Sequence, residues 1–541
     1  MLANPAGRSA DDPEAGERPP DPAEIAALAD GVLMPCFDGL SAPEWLLRRV
    51  SGSLAGVCLF AGNVVSAQQV RALTDTLTDA RADVVIAIDE EAGDVTRMDA
   101  ATGSRFPGAA ALGRADDVSL TTEIGAQVGA LLSQAGITVN FAPCADVMVD
   151  ASNPVIGTRS FGADPALVAR HTAAFVKGQQ AAGVYACAKH FPGHGDTASD
   201  THISVAVVDT DAAGLEAVAL PPFRAAIDES VALMMAGHLI VPAVDALPAS
   251  VSHRWLTEIL RGDMGFQGVV VTDALEMAAI AGTYGIARGA VMALNAGADL
   301  LCLGGEDAGE AMLDQVRDGI VEAVLTGALS IDRLMEAVER VRTLSIPKPV
   351  DADAPSRPDA TRVFTPAASG TAASRAATLA LDISGPLPPL TGQVLVLRCQ
   401  EHTNLAVGDV PWGMAAALAA DAGAVPGRKD PEYRHHLAPG SEIVVTELAV
   451  HHDSALSADT VAALGTAQAV LVLTRDRHRF PWMNAFVAEV RRTRPDAVLV
   501  EMGVGGISDA DAPAVASHGA GLANARAVLA ALRKPARRSP S

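Results

Sequence analysis

The 541-residue sequence is poor in lysine and has no excess of positive charge. It carries 40 Lys and Arg against 64 Asp and Glu, which gives a formal net charge of −24. Such a charge repels phosphate backbones, so we do not expect a nucleic-acid partner. Lys177 and Lys189 are the only lysines before residue 347, and Lys189 directly follows an apolar run. A lysine at the end of a buried strand is costly unless an anionic or hydroxylated group meets it.

Long apolar runs are also missing. Stretches such as 84–88 and 269–271 are far shorter than the roughly 20 residues of a membrane span, and residues 1–20 contain no signal-peptide core. The six cysteines form no CxxC pair, which is typical of buried free thiols in a reducing compartment. We therefore expect a cytoplasmic protein without transmembrane segments. No GxxxxGK[ST] or GxGxxG sequence opens a helix, so nucleotide binding has no support.

The chain length predicts more than one domain, because a single core rarely serves more than about 250–300 residues. Residues 1–22 are rich in Pro, Asp, Glu and Gly and are predicted to form a disordered leader. Residues 347–371 begin with a Pro- and Asp-rich stretch, which predicts a linker. The linker divides a domain at 23–346 from a smaller one at 372–535.

Short apolar runs alternate with longer helical patterns through the first domain. This alternation predicts strand–helix units around a parallel sheet. The candidate strands number eight, as in a (β/α)8 TIM-type barrel: Gly31–Phe37, Ala55–Phe60, Val84–Asp89, Thr138–Pro143, Tyr185–His190, Leu233–His238, Gly268–Asp273 and Asp299–Gly304. Amphipathic segments between them predict helices, among them Leu120–Ala135, Pro165–Ala182 and Pro221–Ser230.

The second domain has an alternation of its own, which predicts a smaller α/β sandwich beside the barrel. Its candidate strands are Val394–Arg398, Ile443–Leu448, Ala469–Thr474 and Ala497–Met502. Its candidate helices are Trp412–Ala422, Ala458–Leu464, Trp482–Thr493 and Leu522–Arg533. We assign no catalytic residue to this domain.

Ionisable residues stand at the carboxyl ends of the predicted barrel strands, which is where such barrels form their active sites. They are Asp89-Glu90-Glu91, Asp146, Lys189-His190, His238 and Asp273. Asp273 could face a substrate as a nucleophile. It could also cap a following helix, predicted at Ala274–Ala281.

The loop from Lys189 to His202 holds three histidines and two aspartates between glycines. Two chemistries are open to it. His190, His194, Asp196 and His202 could bind a metal ion. Alternatively, Asp200 could accept a hydrogen bond from one nitrogen of His202 and leave the other nitrogen for proton transfer.

Five segments together resemble glycoside hydrolase family 3, and within it the bacterial β-N-acetylglucosaminidases in their two-domain form. They are residues 89–97, 140–143, 153–162, 189–202 and 272–277. The chain departs from the family pattern at four positions: Glu90 where Gln is common, Ala92 for Gly, Asp94 for Arg and Thr201 for Ser.

The resemblance implies an exo-acting, retaining β-N-acetylglucosaminidase that needs no metal or cofactor and acts on N-acetylglucosaminides such as muropeptide or chitin fragments. It implies that Asp273 is the nucleophile and that His202, paired with Asp200, is the general acid/base. The residues implied to hold the sugar are Asp89, Arg97, Arg159, Lys189 and His190. A phosphorylase stays open as an alternative, because a histidine acid/base does not repel phosphate. A β-glucosidase of the same family and a metal-dependent hydrolase are further alternatives.

Overall fold

The computed structural model describes most of the chain. The described residues are 21–197, 206–304, 309–345, 372–401, 406–421, 432–436, 442–452 and 456–533. Almost all of the predicted leader and the whole predicted linker lie outside these ranges, so the domain boundaries stay predictions. No helix within these ranges is long and apolar enough to cross a membrane.

Eight parallel strands form the predicted barrel, and each coincides with a candidate strand. The strands of this half of the chain are β1 (Leu33–Pro35), β2 (Gly56–Leu59), β3 (Val85–Ile88), β4 (Val139–Asn140), β5 (Tyr185–Phe191), β6 (Ala206–Val207), β7 (Leu233–Ala236), β8 (Leu239–Ile240), β9 (Val269–Thr272) and β10 (Leu301–Leu303). The order β2-β3-β4-β5-β7-β9 is continuous, and β1 pairs with β10. A bridge between Val271 and Leu300 joins β9 to the segment that leads into β10. The short pair β6 and β8 lies outside the barrel sheet.

Helices alternate with the barrel strands. They span Pro22–Asp30, Glu44–Ser51, Ala67–Ala80, Ala109–Ala115, Val118–Gln134, Pro165–Ala181, Ala212–Gly214, Pro221–Asp228, Ala278–Tyr284, Ile286–Ala296, Glu310–Leu325 and Ile331–Arg342, with π-helical turns at Leu215–Ala219 and Arg254–Asp263. Several begin at side-chain caps that satisfy free backbone N–H groups; Asp164, for example, accepts a hydrogen bond from the N–H of Ala166. The candidate helices at 120–135, 165–182 and 221–230 are confirmed to within about two residues.

Side chains of the barrel strands alternate between two cores. Val269 and Val271 of β9 belong to the cluster inside the barrel, whereas Val270 packs in the layer beneath the helices. In β5, Tyr185 and Cys187 occupy the inner cluster in the same way. Because side chains in a strand have a period of two, these inner rows continue to positions 273 and 189, and the inner row of β3 continues to position 89. Three charged side chains thus stand where inner rows reach the carboxyl end of the barrel.

The second domain is an α/β sandwich around a seven-stranded sheet. Its strands are β11 (Asp382–Ser384), β12 (Gln393–Cys399), β13 (Glu432–His436), β14 (Val444–Val450), β15 (Ala469–Thr474), β16 (Val498–Glu501) and β17 (Ala514–Ala516), in the order β11-β17-β16-β15-β12-β14-β13. Its helices are Ala372–Leu379, Met414–Asp421, Ala458–Thr466, Pro481–Thr493 and Leu522–Arg533. The four predicted strands form the middle of the sheet, and the sequence reading missed β11, β13 and β17. These three are short or polar strands at or near the edges, where no continuous apolar run marks them.

The first helix of this domain packs against both halves of the chain. Ala372, Ala373 and Ala376 join the outer core of the barrel, whereas Ala377 packs with Ala523 of the last helix. Small side chains allow this close packing on two sides. The sandwich is therefore anchored to the barrel through an apolar contact as well as through polar ones.

Candidate active site

Lys189 lies at the centre of the charged groups at the barrel mouth. Its ammonium Nζ is 2.5 Å from Oδ1 of Asp89 and 2.7 Å from Oε1 of Glu91. Burial would lower the pKa of Lys189, but the two carboxylates outweigh it and raise that pKa well above its usual range. The lysine therefore stays charged and holds both carboxylates in place.

Arg159 extends this ion-pair network toward His190. Its guanidinium donates two hydrogen bonds to Glu91, at 2.9 Å and 2.8 Å. Burial would raise the pKa of Glu91, but the charges of Arg159 and Lys189 overcome that effect and hold it far below its usual range. The same guanidinium lies 3.3 Å from Nε2 of His190, which can accept its hydrogen bond when the ring proton is on Nδ1.

Asp146 fixes the other side of His190. Its Oδ2 is 2.8 Å from Nδ1 of His190, and its Oδ1 accepts the backbone N–H of His194 at 2.6 Å. Burial would raise the pKa of Asp146, but His190 and His194 lower it overall. The ring of His194 is held by Thr197 at 2.7 Å, and burial and His190 lower its pKa to about 4. His194 is thus a structural histidine, and Asp146 orients a predicted sugar-binding residue.

Asp273 follows β9 on the inner row of the barrel. Its backbone N–H donates to the carbonyl of Ala236, and its Oδ1 accepts the N–H of Ala274 at 2.8 Å. The helix expected at 274–281 lies instead at Ala278–Tyr284, and Met277 is its N-cap residue. Asp273 therefore does not cap it. The residues between form a turn that His238 supports, with its Nε2 2.9 Å from the carbonyl of Ala274.

The thiol of Cys187 shows that Asp273 shares the barrel interior with Asp89 and Lys189. Burial raises the pKa of this thiol, Lys189 lowers it, and the carboxylates of Asp89 and Asp273 raise it further. All three charges therefore lie within electrostatic range of one buried sulfur atom.

Glu90 is fully buried and is hydrogen-bonded to the segment that follows it rather than to this network. Its Oε2 accepts hydrogen bonds from the hydroxyl of Thr96 and the backbone N–H groups of Arg97 and Met98, and its Oε1 has no partner among the described residues. Burial, together with the charge of Asp99, raises the pKa of Glu90 to about 7. Glu90 therefore holds its proton to a higher pH than an ordinary glutamate does.

Arg97 lies at the edge of the mouth, between the barrel and the second domain. Its guanidinium carbon is 6.0 Å from the ring centre of Phe60, and one of its terminal nitrogens donates to the carbonyl of Ala406 at 3.0 Å. Its Nε is buried and has no hydrogen-bond partner in the part of the chain that the structure describes.

Asp94 connects three segments, although the sequence reading noted it only as a departure from a family pattern. Its Oδ2 accepts hydrogen bonds from the hydroxyl of Thr158 at 2.6 Å and from Arg475 at 2.9 Å. Its Oδ1 accepts the backbone N–H of Ala520 at 2.9 Å. Because Thr158 precedes Arg159, this carboxylate links the Arg159 loop to the second domain.

Six of the eight predicted site residues lie among the described residues at or beside the barrel mouth. Asp89, Lys189, Arg159 and His190 form one network, and Arg97 lies beside it. Asp273 is present on the inner row, whereas His202 and Asp200 lie outside the described residues. Glu91 and Asp146 were missed as site residues. Their signal was present in part, because Glu91 is two residues beyond Asp89 and Asp146 follows a barrel strand.

Of the four residues considered as metal ligands, His190 belongs to a cluster of possible ligand atoms among the described residues, and His202 lies outside those residues. In that cluster, Cys144, Asp146 and His190 each bring one ligand atom to within 4.8 Å of the others. Both oxygens of Asp146 already accept hydrogen bonds from His190, His194 and the thiol of Cys144. The carboxylate of Asp196 belongs to an exposed residue, whereas His190 is buried. This geometry is that of a hydrogen-bonded support for His190.

A family model described as the glycosyl hydrolase family 3 N-terminal domain matches residues 43–344, which is more than half of the chain. The chain belongs to glycosyl hydrolase family 3. The family 3 resemblance is thereby confirmed, as is the TIM-type α/β fold with its second domain. Membership of family 3 also confirms the prediction of a glycoside hydrolase at the level of the family.

Relatives within family 3 are named as hexosaminidases. A "Beta-hexosaminidase A" from Pseudoalteromonas piscicida is 33% identical over 322 residues, covering 55% of this chain and 54% of that protein. The chain thus spans about half the length of this relative. A "Beta-hexosaminidase" from Chromobacterium violaceum is 37% identical over 297 residues, covering 53% of this chain and 82% of that protein.

A solved structure resembles nearly the whole chain. It is a glycoside hydrolase family 3 β-N-acetylglucosaminidase from Paenibacillus sp. str. FPU-7, with a TM-score of 0.79 and 29% sequence identity. The match covers 94% of this chain and 96% of that one. The similarity therefore includes both the barrel and the sandwich.

Proposed function

We propose that this protein is an exo-acting, retaining β-N-acetylglucosaminidase with its catalytic groups in the barrel. The observation that carries the proposal is the position of Asp273: it ends the inner row of β9, does not cap a helix, and shares the barrel interior with Asp89 and Lys189. The hexosaminidase names of the relatives support the choice of sugar.

In the proposed reaction, Asp273 attacks the anomeric carbon and forms a glycosyl–enzyme intermediate. His202, oriented by Asp200, protonates the leaving oxygen and then, as a neutral base, activates the water that releases the sugar. Histidine suits this exchange because its ordinary pKa lies near neutral pH.

The ion-pair network is proposed to hold the terminal sugar. Lys189 has three N–H donors, and its contacts with Asp89 and Glu91 leave one for a hydroxyl. Among the described residues no hydrogen bond engages the second oxygen of Asp89, which is proposed as an acceptor, and the buried Nε of Arg97 is proposed as a further donor at the mouth. Because Lys189 is only 2% exposed, these groups are fixed before the substrate arrives.

Replacement of the nucleophile tests the proposal. Asp273→Ala is expected to abolish release of 4-nitrophenol from 4-nitrophenyl N-acetyl-β-D-glucosaminide, because it removes the carboxylate proposed to form the intermediate. Asp263→Ala changes an exposed aspartate of the same domain. It is the matched control and is expected to retain wild-type turnover. Near-normal turnover by Asp273→Ala would refute the assignment.

Analysis of the reaction products distinguishes the hydrolase from the phosphorylase alternative. The wild-type enzyme is incubated with the same glycoside with and without phosphate. We expect free N-acetylglucosamine in both cases and an unchanged rate. Formation of N-acetylglucosamine 1-phosphate would replace the hydrolase proposal with the phosphorylase.

A further inference from the structure

Two side chains of the second domain contact the Arg159 loop of the barrel, residues 150–159. Nε2 of His478 lies 2.6 Å from the backbone carbonyl of Ala151. Because a carbonyl oxygen only accepts, this nitrogen carries a proton and donates it. Val504 packs against a small apolar cluster to which the same loop contributes two side chains. The second domain therefore holds the loop at one polar point and at one apolar point.

The apolar contact lies next to the groups that orient Arg159. Val155 and Ile156 are the two side chains of the loop that pack with Val504. The guanidinium of Arg159 donates to the carbonyl of Val155 at 3.2 Å, and its backbone N–H donates to the carbonyl of Ile156 at 2.9 Å. A shift of these two residues would therefore move the guanidinium relative to Glu91, its buried ion-pair partner.

The polar contact acts on the same part of the loop through Asn153. Ala151 lies in a turn that the backbone N–H of Asn153 closes with a 3.0 Å hydrogen bond. The side-chain Oδ1 of Asn153 accepts the backbone N–H groups of residues 155 and 156, each at 2.9 Å. Because Asn153 is buried, breaking these hydrogen bonds would leave polar groups without partners. His478 therefore fixes the start of a chain of hydrogen bonds that ends at Arg159.

Glu501 joins the two segments of the second domain that reach the loop. It is buried at the end of β16, and its Oε1 accepts the backbone N–H groups of Asp476 and Gly503, both at 2.8 Å. Asp476 in turn accepts the backbone N–H of Val504 at 2.9 Å. The segments that carry His478 and Val504 follow the neighbouring strands β15 and β16. Both side chains therefore project from one hydrogen-bonded support.

The two domains are also joined away from this loop. Arg114 pairs with Asp382, and the helix Ala372–Leu379 packs against the outer core of the barrel. Removal of one contact to the Arg159 loop therefore leaves the domains attached. An effect of such a change on substrate binding can thus be separated from an effect on stability.

We propose that His478 and Val504 are positioning residues, which hold Arg159 in the geometry that binds the terminal sugar. The inference rests on the proposed function, in which Arg159 belongs to the network that holds this sugar. Neither positioning residue is proposed to touch the substrate. Arg475 acts on the same loop through Asp94, which accepts the hydroxyl of Thr158. The second domain thus takes part in the reaction through the loop that it supports.

Steady-state kinetics with 4-nitrophenyl N-acetyl-β-D-glucosaminide test the inference. His478→Ala removes the donor to the loop and is expected to raise KM about two- to ten-fold, as for the loss of one hydrogen bond. The change in kcat is expected to stay below about two-fold, since the proposed nucleophile and acid/base are unaltered. His478→Gln keeps an N–H donor and is expected to restore KM to near the wild-type value. Val504→Ala removes the apolar contact and is expected to raise KM as well.

His253→Ala is the matched control, because His253 is an exposed histidine of the barrel that pairs with Glu258. It is expected to leave KM and kcat at wild-type values. An unchanged KM in both His478→Ala and Val504→Ala would overturn the inference, as would a raised KM in His478→Ala that His478→Gln does not restore. Both results would leave the hydrolase proposal in place. If the wild type does not cleave the glycoside, the proposed function itself fails.

Discussion

Charged groups differ between the barrel mouth and the second domain in how they are paired. At the barrel mouth, the buried side chains of Lys189, Arg159 and Glu91 and the partly buried Asp89 are paired with one another. In the second domain, Arg479 is partly exposed, and among the described residues its guanidinium contacts an aromatic ring and no carboxylate. Buried pairs fix geometry before a ligand binds, whereas an uncommitted arginine is available to the ligand. The two regions therefore differ in how far their charged groups are fixed by partners.

The largest expected effect comes from breaking the paired side. Lys189→Met leaves the buried Glu91 and the partly buried Asp89 without their shared cation, and such a change costs about 3–5 kcal/mol of stability. Activity is expected to be lost as well, because the substitution removes a proposed sugar donor and frees Asp89. Thermal unfolding and turnover of the aryl glycoside measure the two effects.

Lys177→Met provides the comparison for Lys189, since it removes the only other lysine of the barrel from an exposed helix position. Its effect on stability is expected to stay within about 0.5 kcal/mol. Similar Tm values for the two variants would show that the buried network contributes little to stability.

A second prediction concerns Glu90, which lacks the cations that neutralise Glu91. Its folded-state pKa of about 7 lies above the ordinary 4.5, so the folded protein binds the proton more tightly than the unfolded chain. Stability from this group is present below pH 4.5 and falls as the pH rises toward about 7. At about 1.4 kcal/mol per pKa unit, the loss reaches about 3 kcal/mol.

Glu90→Gln is expected to remove this loss, because the neutral amide cannot ionise. The Tm of the variant relative to wild type should therefore rise between pH 5 and pH 8. Glu322→Gln, at an exposed glutamate, is the control and should show no such trend. A Tm difference for Glu90→Gln that is independent of pH would contradict the raised pKa.

The smallest expected effect concerns two ion pairs that join the two halves of the chain, one buried and one exposed. A double-mutant cycle with Asp94→Asn and Arg475→Gln is expected to give a coupling energy of about 1–3 kcal/mol, because the Asp94 side chain is only 2% exposed. Reduced kcat/KM is expected too, since Asp94 holds the loop of Arg159 through Thr158.

The exposed contact between Arg114 and Asp382 also joins the barrel to the second domain, and it is the comparison for this cycle. Its coupling energy is expected to be about 0.2–1 kcal/mol, as for other exposed ion pairs. Equal coupling energies for the two pairs would remove the distinction between the buried contact and the surface contact.

The fold could be predicted largely from runs such as 269–271, because a strand buried on both faces is continuously apolar. The alternation of side chains along a strand, which places residues 89, 189 and 273 on the inside of the barrel, could also be predicted from the sequence. The edge strand β13 could not be predicted, because its residues 432–436 are mostly polar and its pairing with β14 depends on tertiary context.

The site was predictable where a residue ends a strand, as for Lys189 and Asp273. Residues that are distant in sequence and come together only in the folded chain were not predictable. Asp94 and Arg475, for example, are 381 positions apart, and no local pattern connects them.

The proposed function depends most on Asp273 acting as a nucleophile in a two-step displacement. Proton NMR of the first sugar released from 4-nitrophenyl N-acetyl-β-D-glucosaminide tests this directly, if recorded before the anomers equilibrate. Two displacements at the anomeric carbon predict the β-anomer as the first product. Initial release of the α-anomer would mean a single displacement by water and would contradict the central claim.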